Sequence, residues 1–187
     1  TQWTIGFDTA VNTVVDGINK IRDTATSHER VFVIEVMGRQ AGFIALAAGL
    51  AGGAESIVIP EKDFEISEIV SRIIRGQNRG KLHSIILVAE GVVSALDISQ
   101  KIRDITGLDT RVTILGHLQR GGTPTAWDRI IASKMGAEAV QLLMKGESGK
   151  MVGIQGNRIE HYDIEWALNQ PHEINMGDYV LSGILAI

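Results

Sequence analysis

Two apolar runs, Val31-Phe32-Val33-Ile34-Glu35-Val36 and Ser84-Ile85-Ile86-Leu87-Val88-Ala89, constrain this chain more than any other feature. Both lack polar alternation and are rich in β-branched residues, as suits strands covered on both faces, which is the habit of parallel sheets. Around them lie stripes at helical spacing: Val11, Val14, Val15, Ile18 and Ile21 within 9–27, Ile66, Ile69, Val70, Ile73 and Ile74 within 66–79, and Ile98, Ile102 and Ile105 within 94–106. Residues 40–51 are small and apolar and form a helix stopped by Gly52-Gly53, and shorter strands are expected at 56–59 and 112–115. A long helix is expected over 124–145, with Thr123 as its cap and Pro124 as its first residue. A weak strand at 151–154 and short helices at 164–169 and 178–186 complete the chain. Strand and helix alternate throughout, which implies an α/β fold, a three-layer αβα sandwich around a parallel sheet. The expected division places 1–118 and 170–187 in one domain and 119–169 in a segment that packs on a neighbouring domain, with Gly121-Gly122 as the joint.

Composition narrows the function. The formal net charge is -4, so the excess of Lys and Arg that a phosphate backbone requires is missing and nucleic acid is not expected as a partner. There are no cysteines, which removes disulfides and thiolate metal sites. No apolar run is long enough to span a membrane and no targeting signal is legible, so a cytoplasmic location is expected. The chain opens on Thr1 rather than Met, which suggests that the beginning of a longer protein is missing.

Polar residues gather where strands end. Met37-Gly38-Arg39, Glu90-Gly91 and Gly116-His117-Leu118-Gln119-Arg120 each follow an apolar strand, and in a parallel sheet all three open on one rim, where ligands of such folds sit. The last of these runs into a glycine turn and then a helix start, an arrangement suited to an anion. Arg39, Arg120 and His117 suit a phosphate or carboxylate, and Glu90 suits sugar hydroxyls. Gly38 and Gly91 are expected to let backbone amides approach a ligand. Together they favour a phosphorylated sugar. Arg30 and Arg111 lie at strand entrances, on the opposite rim, where they can serve only a neighbouring subunit's site. A second basic group, Arg72, Arg75, Arg79, Lys81 and His83 with Arg22 near, surrounds the turn at Gly80. No nucleotide-binding glycine motif, no metal-ligand spacing of histidines and no nucleophile triad is legible; Glu90, Asp8 and Asp128 are the candidate bases.

Five ordered blocks carry a family likeness. T-I-G-F-D-T-A at 4–10, V-I-E-V-M-G-R at 33–39, A-G-L-A-G-G-A-E at 48–55, V-A-E-G at 88–91 and R-V-T-I-L-G-H-L-Q-R-G-G-T-P-T-A-W-D-R at 111–129 resemble bacterial ATP-dependent 6-phosphofructokinase, specifically its C-terminal, fructose 6-phosphate-binding part. The resemblance implies that Met37, Gly38, Arg39, Glu90, His117, Leu118, Gln119 and Arg120 bind the sugar phosphate. It implies that Arg30 and Arg111 reach it from an adjacent subunit of a homotetramer, and that Arg30 and Arg39 steady the transferred phosphoryl group. An effector site for ADP or phosphoenolpyruvate is implied at Arg22, Gly53, Ala54, Glu55, Arg79, Lys81, Leu82 and His83. Leu82 stands where many relatives carry a second Lys, which implies weaker hold on an anion. ATP, Mg²⁺ and the T-I-D-N-D aspartate that deprotonates the sugar's 1-hydroxyl belong, by the same resemblance, to sequence before Thr1. Alternatives are a pyrophosphate-dependent phosphofructokinase and a non-catalytic sugar-phosphate or nucleotide sensor.

Overall fold

Strand β1 (Arg30–Val36) lies at the centre of a four-stranded parallel sheet in a computed structural model that describes residues 1–25 and 30–186. It pairs on one side with β3 (His83–Ala89), Val33 opposite Ile86, and on the other with β4 (Asp109–Ile114), Arg30 opposite Asp109. The short β2 (Ser56–Val58) adds beyond β3, which gives the order β2-β3-β1-β4. Four helices connect or precede these strands: α1 (Phe7–Ala25), α2 (Phe43–Gly52), α3 (Ile66–Asn78) and α4 (Ala95–Thr106). The final positions of the expected first helix, at 26–27, lie outside the described residues.

Successive side chains of a strand point to opposite faces, so one sheet feeds two cores. Ile34, Val36, Ile85 and Leu87 pack with Val14 and Ile18 of α1 and Ala45, Leu46 and Ala48 of α2; Ile174 and Tyr179 cover the same face. Val31, Val33, Ile86 and Val88 pack on the other face with Ile69, Val70 and Ile73 of α3 and Ala95, Ile98 and Ile102 of α4. Ile34, Ile85, Ile86 and Leu87 are fully buried, and burial of each stabilises the fold by about 1.5–3 kcal/mol. This is the covered-sheet arrangement that the unbroken apolar runs require.

Two compact units result: residues 10–121 with 174–187, and residues 1–9 with 122–173. The expected division left 1–9 with the larger part. They belong with the smaller one because the Gln2 amide donates to the Ile154 carbonyl at 2.8 Å, the Ile154 amide donates to Thr1 Oγ1 at 3.0 Å, and the Gly6 amide donates to Asp128 Oδ1 at 2.8 Å. The smaller unit holds α5 (Ala126–Met144), strands β5 (Lys150–Gln155) and β6 (Arg158–Asp163) and α6 (Ile164–Leu168), with Ile131, Met135 and Ile154 as its core; α7 (Met176–Leu185) belongs to the larger unit.

Four local expectations need correction. Helix α5 starts at Ala126, with Thr125 and not Thr123 as its cap: Thr125 Oγ1 accepts from the Asp128 amide at 3.2 Å. β6 went unforeseen; it pairs antiparallel with β5, Gln155 opposite Arg158, so strand–helix alternation stops there. β4 begins at Asp109, which puts Arg111 inside the strand and makes Asp109 the neighbour of Arg30. The segment Gly116–Arg120 is a 3-10 turn, and residues 121–125 follow it in the chain before α5, so the turn does not run directly into the helix start.

Candidate functional site

The chain leaves β1 towards α2, on one face of the sheet, and leaves the adjacent β3 towards α4, on the other. Departures to opposite faces from neighbouring strands open a crevice at their carboxyl ends, and this switch point is where open α/β sheets hold ligands. Here the crevice is built by Met37, Gly38 and Arg39 from β1 and Glu90 and Gly91 from β3. The Glu90 amide donates to the Val36 carbonyl at 2.8 Å, and Glu90 Oε1 accepts from the Gly38 amide at 3.2 Å and the Arg39 amide at 2.9 Å. Hydrogen bonds from the Arg39 and Gly38 amides, helped by the charges of Arg120 and Arg39 and opposed by partial burial, hold the Glu90 carboxyl below its ordinary pKa. The carboxylate therefore stays ionised at more acid pH than an ordinary glutamate.

Its grip maintains a strained turn. Arg39 is the one non-glycine residue with positive φ, at 53°, among the described residues, a conformation that persists only when surroundings enforce it. Gly38 and Gly91 are part of that enforcement: a Cβ at Gly38 would collide with the Ala41 carbonyl oxygen, and one at Gly91 with that of Arg39. These glycines, expected to let backbone amides approach a ligand, also let the main chain pass close to itself. The Gly38 amide itself points to Glu90.

The third strand exit completes the rim. The Leu115 amide donates to the Glu35 carbonyl at 3.1 Å, and the chain then winds through the 3-10 turn that carries His117 and Arg120, both exposed. Leu118 is 69% exposed, whereas Gln119 is buried, its Nε2 donating to the Gly116 carbonyl at 3.4 Å while its Oε1 is left without a partner. Buried amide oxygens rarely stay unpaired, so Oε1 is an open acceptor on a residue that the resemblance implies for the sugar phosphate. The structure thus joins Gly38, Arg39 and Glu90 by direct contact and sets Arg120 within electrostatic reach of Glu90.

A family model described as Phosphofructokinase matches residues 1–143. The chain belongs to the phosphofructokinase family. An ATP-dependent 6-phosphofructokinase from Bacillus cytotoxicus is 60% identical over all 187 residues, which make up 59% of that relative, so the chain spans about three fifths of its length. The solved phosphofructokinase of Saccharomyces cerevisiae superposes with a TM-score of 0.84 at 32% identity, over 98% of this chain and 25% of that one. The Pichia pastoris phosphofructokinase in the T-state gives 0.82 at 36%, over 89% and 20%.

On the opposite rim of this phosphofructokinase-family sheet, Arg30 and Arg111 share one carboxylate. Asp109 Oδ2 accepts from Arg30 Nε at 3.0 Å and from Arg111 Nη2 at 3.1 Å. Desolvation raises the Asp109 carboxyl, but hydrogen bonds from Arg111 and Arg30 outweigh it and the net direction is downward. The residues of the implied effector site are largely occupied within the fold. Arg22 donates to the Gly52 carbonyl, Gly53 caps α2 and Ala54 is in the core. Glu55 accepts from Lys81 Nζ at 3.0 Å and from the Ile85 amide at 2.5 Å. Lys81, Leu82 and His83 border a hollow of about 10 Å³ with Arg30, whereas Arg79 lines a separate cavity of about 170 Å³.

Asp128, a candidate base, has a structural role in the smaller unit. It accepts from the Gly6 amide at 2.8 Å, from the Thr9 amide at 2.9 Å and from the Thr9 hydroxyl. Burial raises its pKa, the Thr9 hydroxyl and the Gly6 and Thr9 amides lower it by more, and the carboxylate is held in its charged form as the clasp of the 4–9 segment.

Proposed function

We propose that the full-length protein is an ATP-dependent 6-phosphofructokinase of the cytoplasm, transferring the γ-phosphoryl group of ATP to O1 of fructose 6-phosphate, and that this chain supplies the sugar-phosphate side of the reaction. The observation that carries this is the Glu90 clamp: a carboxylate fixed by two backbone amides at the switch point, with Arg39 and Arg120 around it. Arg120, His117 and Arg39 provide charge-assisted donors for the 6-phosphate, Glu90 Oε2 accepts from sugar hydroxyls, and Met37, Leu118 and Gln119 border the sugar. A guanidinium at Arg39 also offsets charge that builds on the phosphoryl group in flight. The 60% identical ATP-dependent relative supports ATP over pyrophosphate as donor.

Mg²⁺ does not fit the residues present: among the described residues no group of three or more His, Asp or Glu side chains is placed to hold a metal ion. The nucleotide and its ion are assigned to the part of the relatives' length beyond this chain. Arg30 and Arg111 serve an adjacent subunit of a homotetramer, and ADP or phosphoenolpyruvate acts through Arg22, Gly53, Glu55, Arg79, Lys81 and His83.

The test is an assay of the full-length protein with fructose 6-phosphate and either Mg²⁺-ATP or Mg²⁺-pyrophosphate. Fructose 1,6-bisphosphate should form with ATP. Product with pyrophosphate alone would replace the donor, and fructose 6-phosphate binding without turnover would make the protein a sensor.

A further inference from the structure

Strands β1, β3 and β4 release the residues of the proposed sugar-phosphate rim at their carboxyl ends; the remaining parallel strand, β2, releases Pro60 and Glu61. Ile59, just past that strand, is buried in the core, and the Lys62 amide donates to its carbonyl at 3.4 Å, so the chain turns sharply and Glu61 stands on a fixed base. Although Glu61 is exposed, both of its carboxylate oxygens converge on one buried residue: they accept from the Gly42 amide at 2.9 and 3.1 Å.

Gly42 is where α2 begins. A helix leaves its first amides without partners inside it and carries partial positive charge at that end. This helix starts on a residue that has no side chain to cap it, and its first turn holds no acid. Glu61 therefore brings from another element the anion that the sequence of α2 omits. Glycine is required at 42 for this approach: a Cβ there would lie 2.3 Å from Ile59 Cγ2 and 2.8 Å from Glu61 Oε2.

The chain just upstream gives the contact its consequence. The Ala41 amide donates to the Gly38 carbonyl at 3.0 Å, closing a turn that contains the left-handed Arg39. Glu90 holds the amino end of this turn through the Gly38 and Arg39 amides, and Glu61 holds the residue that follows its carboxyl end. A strained backbone persists only while its surroundings over-determine it, and a turn fixed at both ends is over-determined where one fixed at a single end is free to relax.

We propose that Glu61 is a positioning residue for phosphoryl transfer: by fixing the first residue of α2 it keeps Arg39 in the conformation that sets its guanidinium within electrostatic reach of Glu90, without itself touching sugar or phosphate. The proposal rests on the kinase reading for the task of Arg39.

The experiment is a kinetic double-mutant cycle on the full-length protein, comparing wild type, Glu61→Gln, Arg39→Ala and the double variant with fructose 6-phosphate and Mg²⁺-ATP. Glu61→Gln keeps the shape of the side chain and gives up its charge, and should lower kcat about three- to tenfold. In the Arg39→Ala background the same change should have no further effect, because the group through which it acts is gone. A role in stability alone would reduce the amount of folded enzyme and lower kcat by the same factor in both backgrounds; that result, or an unchanged kcat in the single variant, would overturn the proposal. Where the wild type shows no turnover the kinase reading fails by itself, and there, or where Arg39→Ala leaves no measurable rate, amide hydrogen exchange decides. Glu61→Gln should then speed exchange at the Gly38 and Arg39 amides by about three- to tenfold. Unaltered protection of those two amides would show that Glu61 does not hold the turn.

Discussion

The two rims of the sheet use the same residue types to opposite ends. At the carboxyl rim Glu90 is satisfied by backbone amides, so its negative charge steers Arg39 and Arg120 without consuming their donors. At the amino rim Asp109 is satisfied by the side chains of Arg30 and Arg111, whose forks are thereby engaged. What separates the two is the source of the hydrogen bonds that a carboxylate takes. A carboxylate fed by the main chain leaves nearby guanidinium groups available to a ligand, whereas one fed by arginines holds them until something displaces it.

That contrast can be broken or sharpened by substitution. The largest effect is expected at Arg120: in the full-length protein Arg120→Ala should raise the half-saturating fructose 6-phosphate concentration by about 10- to 100-fold, as loss of a charge-assisted contact worth about 1.5–3 kcal/mol implies. An unchanged value would mean that Arg120 is as idle as its exposure allows. Glu90→Gln comes next. The amide keeps an acceptor for the Gly38 and Arg39 amides but not its charge, and replacing charge-assisted by neutral hydrogen bonds should weaken the turn by roughly 1 kcal/mol, read as a several-fold loss in sugar saturation.

The same carboxylate sets a pH signature. Its folded pKa lies below the ordinary value, so the stabilisation it gives is complete above the unfolded pKa of about 4.3 and is lost as pH falls through the folded one. Thermal unfolding of the wild type should lose stability on that acid limb, and the Gln variant should lose less there; identical profiles would detach Glu90 from the turn. The smallest effect belongs to Asp109→Asn. Exposed ion pairs contribute little to stability, so the melting temperature should hardly move, while the half-saturating sugar concentration should fall slightly as Arg30 and Arg111 are freed. A marked loss of stability would show that the amino rim is structural.

How much of this the sequence made legible follows from how far apart the interacting residues lie. The central strands were readable because Val31, Val33, Ile86 and Val88 belong to unbroken apolar runs, and the polar rim because Arg39, Glu90 and Arg120 each come just after such a run. The bonds from the Gly38 and Arg39 amides to Glu90 join residues 52 and 51 positions apart in sequence and leave no local trace. Nor does the left-handed backbone of Arg39, which is imposed by the Glu90 clamp rather than chosen by the residue. Other misses had a signal. Thr125-Ala-Trp-Asp128 has the spacing of a capping box, and it outcompetes Thr123-Pro124 because Asp128 is anchored by Gly6 and Thr9. Strand β6 was hidden because Arg158, Glu160, His161 and Asp163 make it read as a loop, although Gly156 and Asn157 between β5 and β6 are apt for a two-residue hairpin connection.

The walls behind Gly38 and Gly91 have a bearing on how such a crevice could be retailored. Both positions are closed by main-chain oxygens, which no neighbouring side chain can swap away, so the glycine half of the crevice is beyond the reach of point substitution. The other half, the exposed 117, 118 and 120 positions of the 3-10 turn, has no such obstruction. A change of acceptor, by natural drift or in the laboratory, would have to be written there.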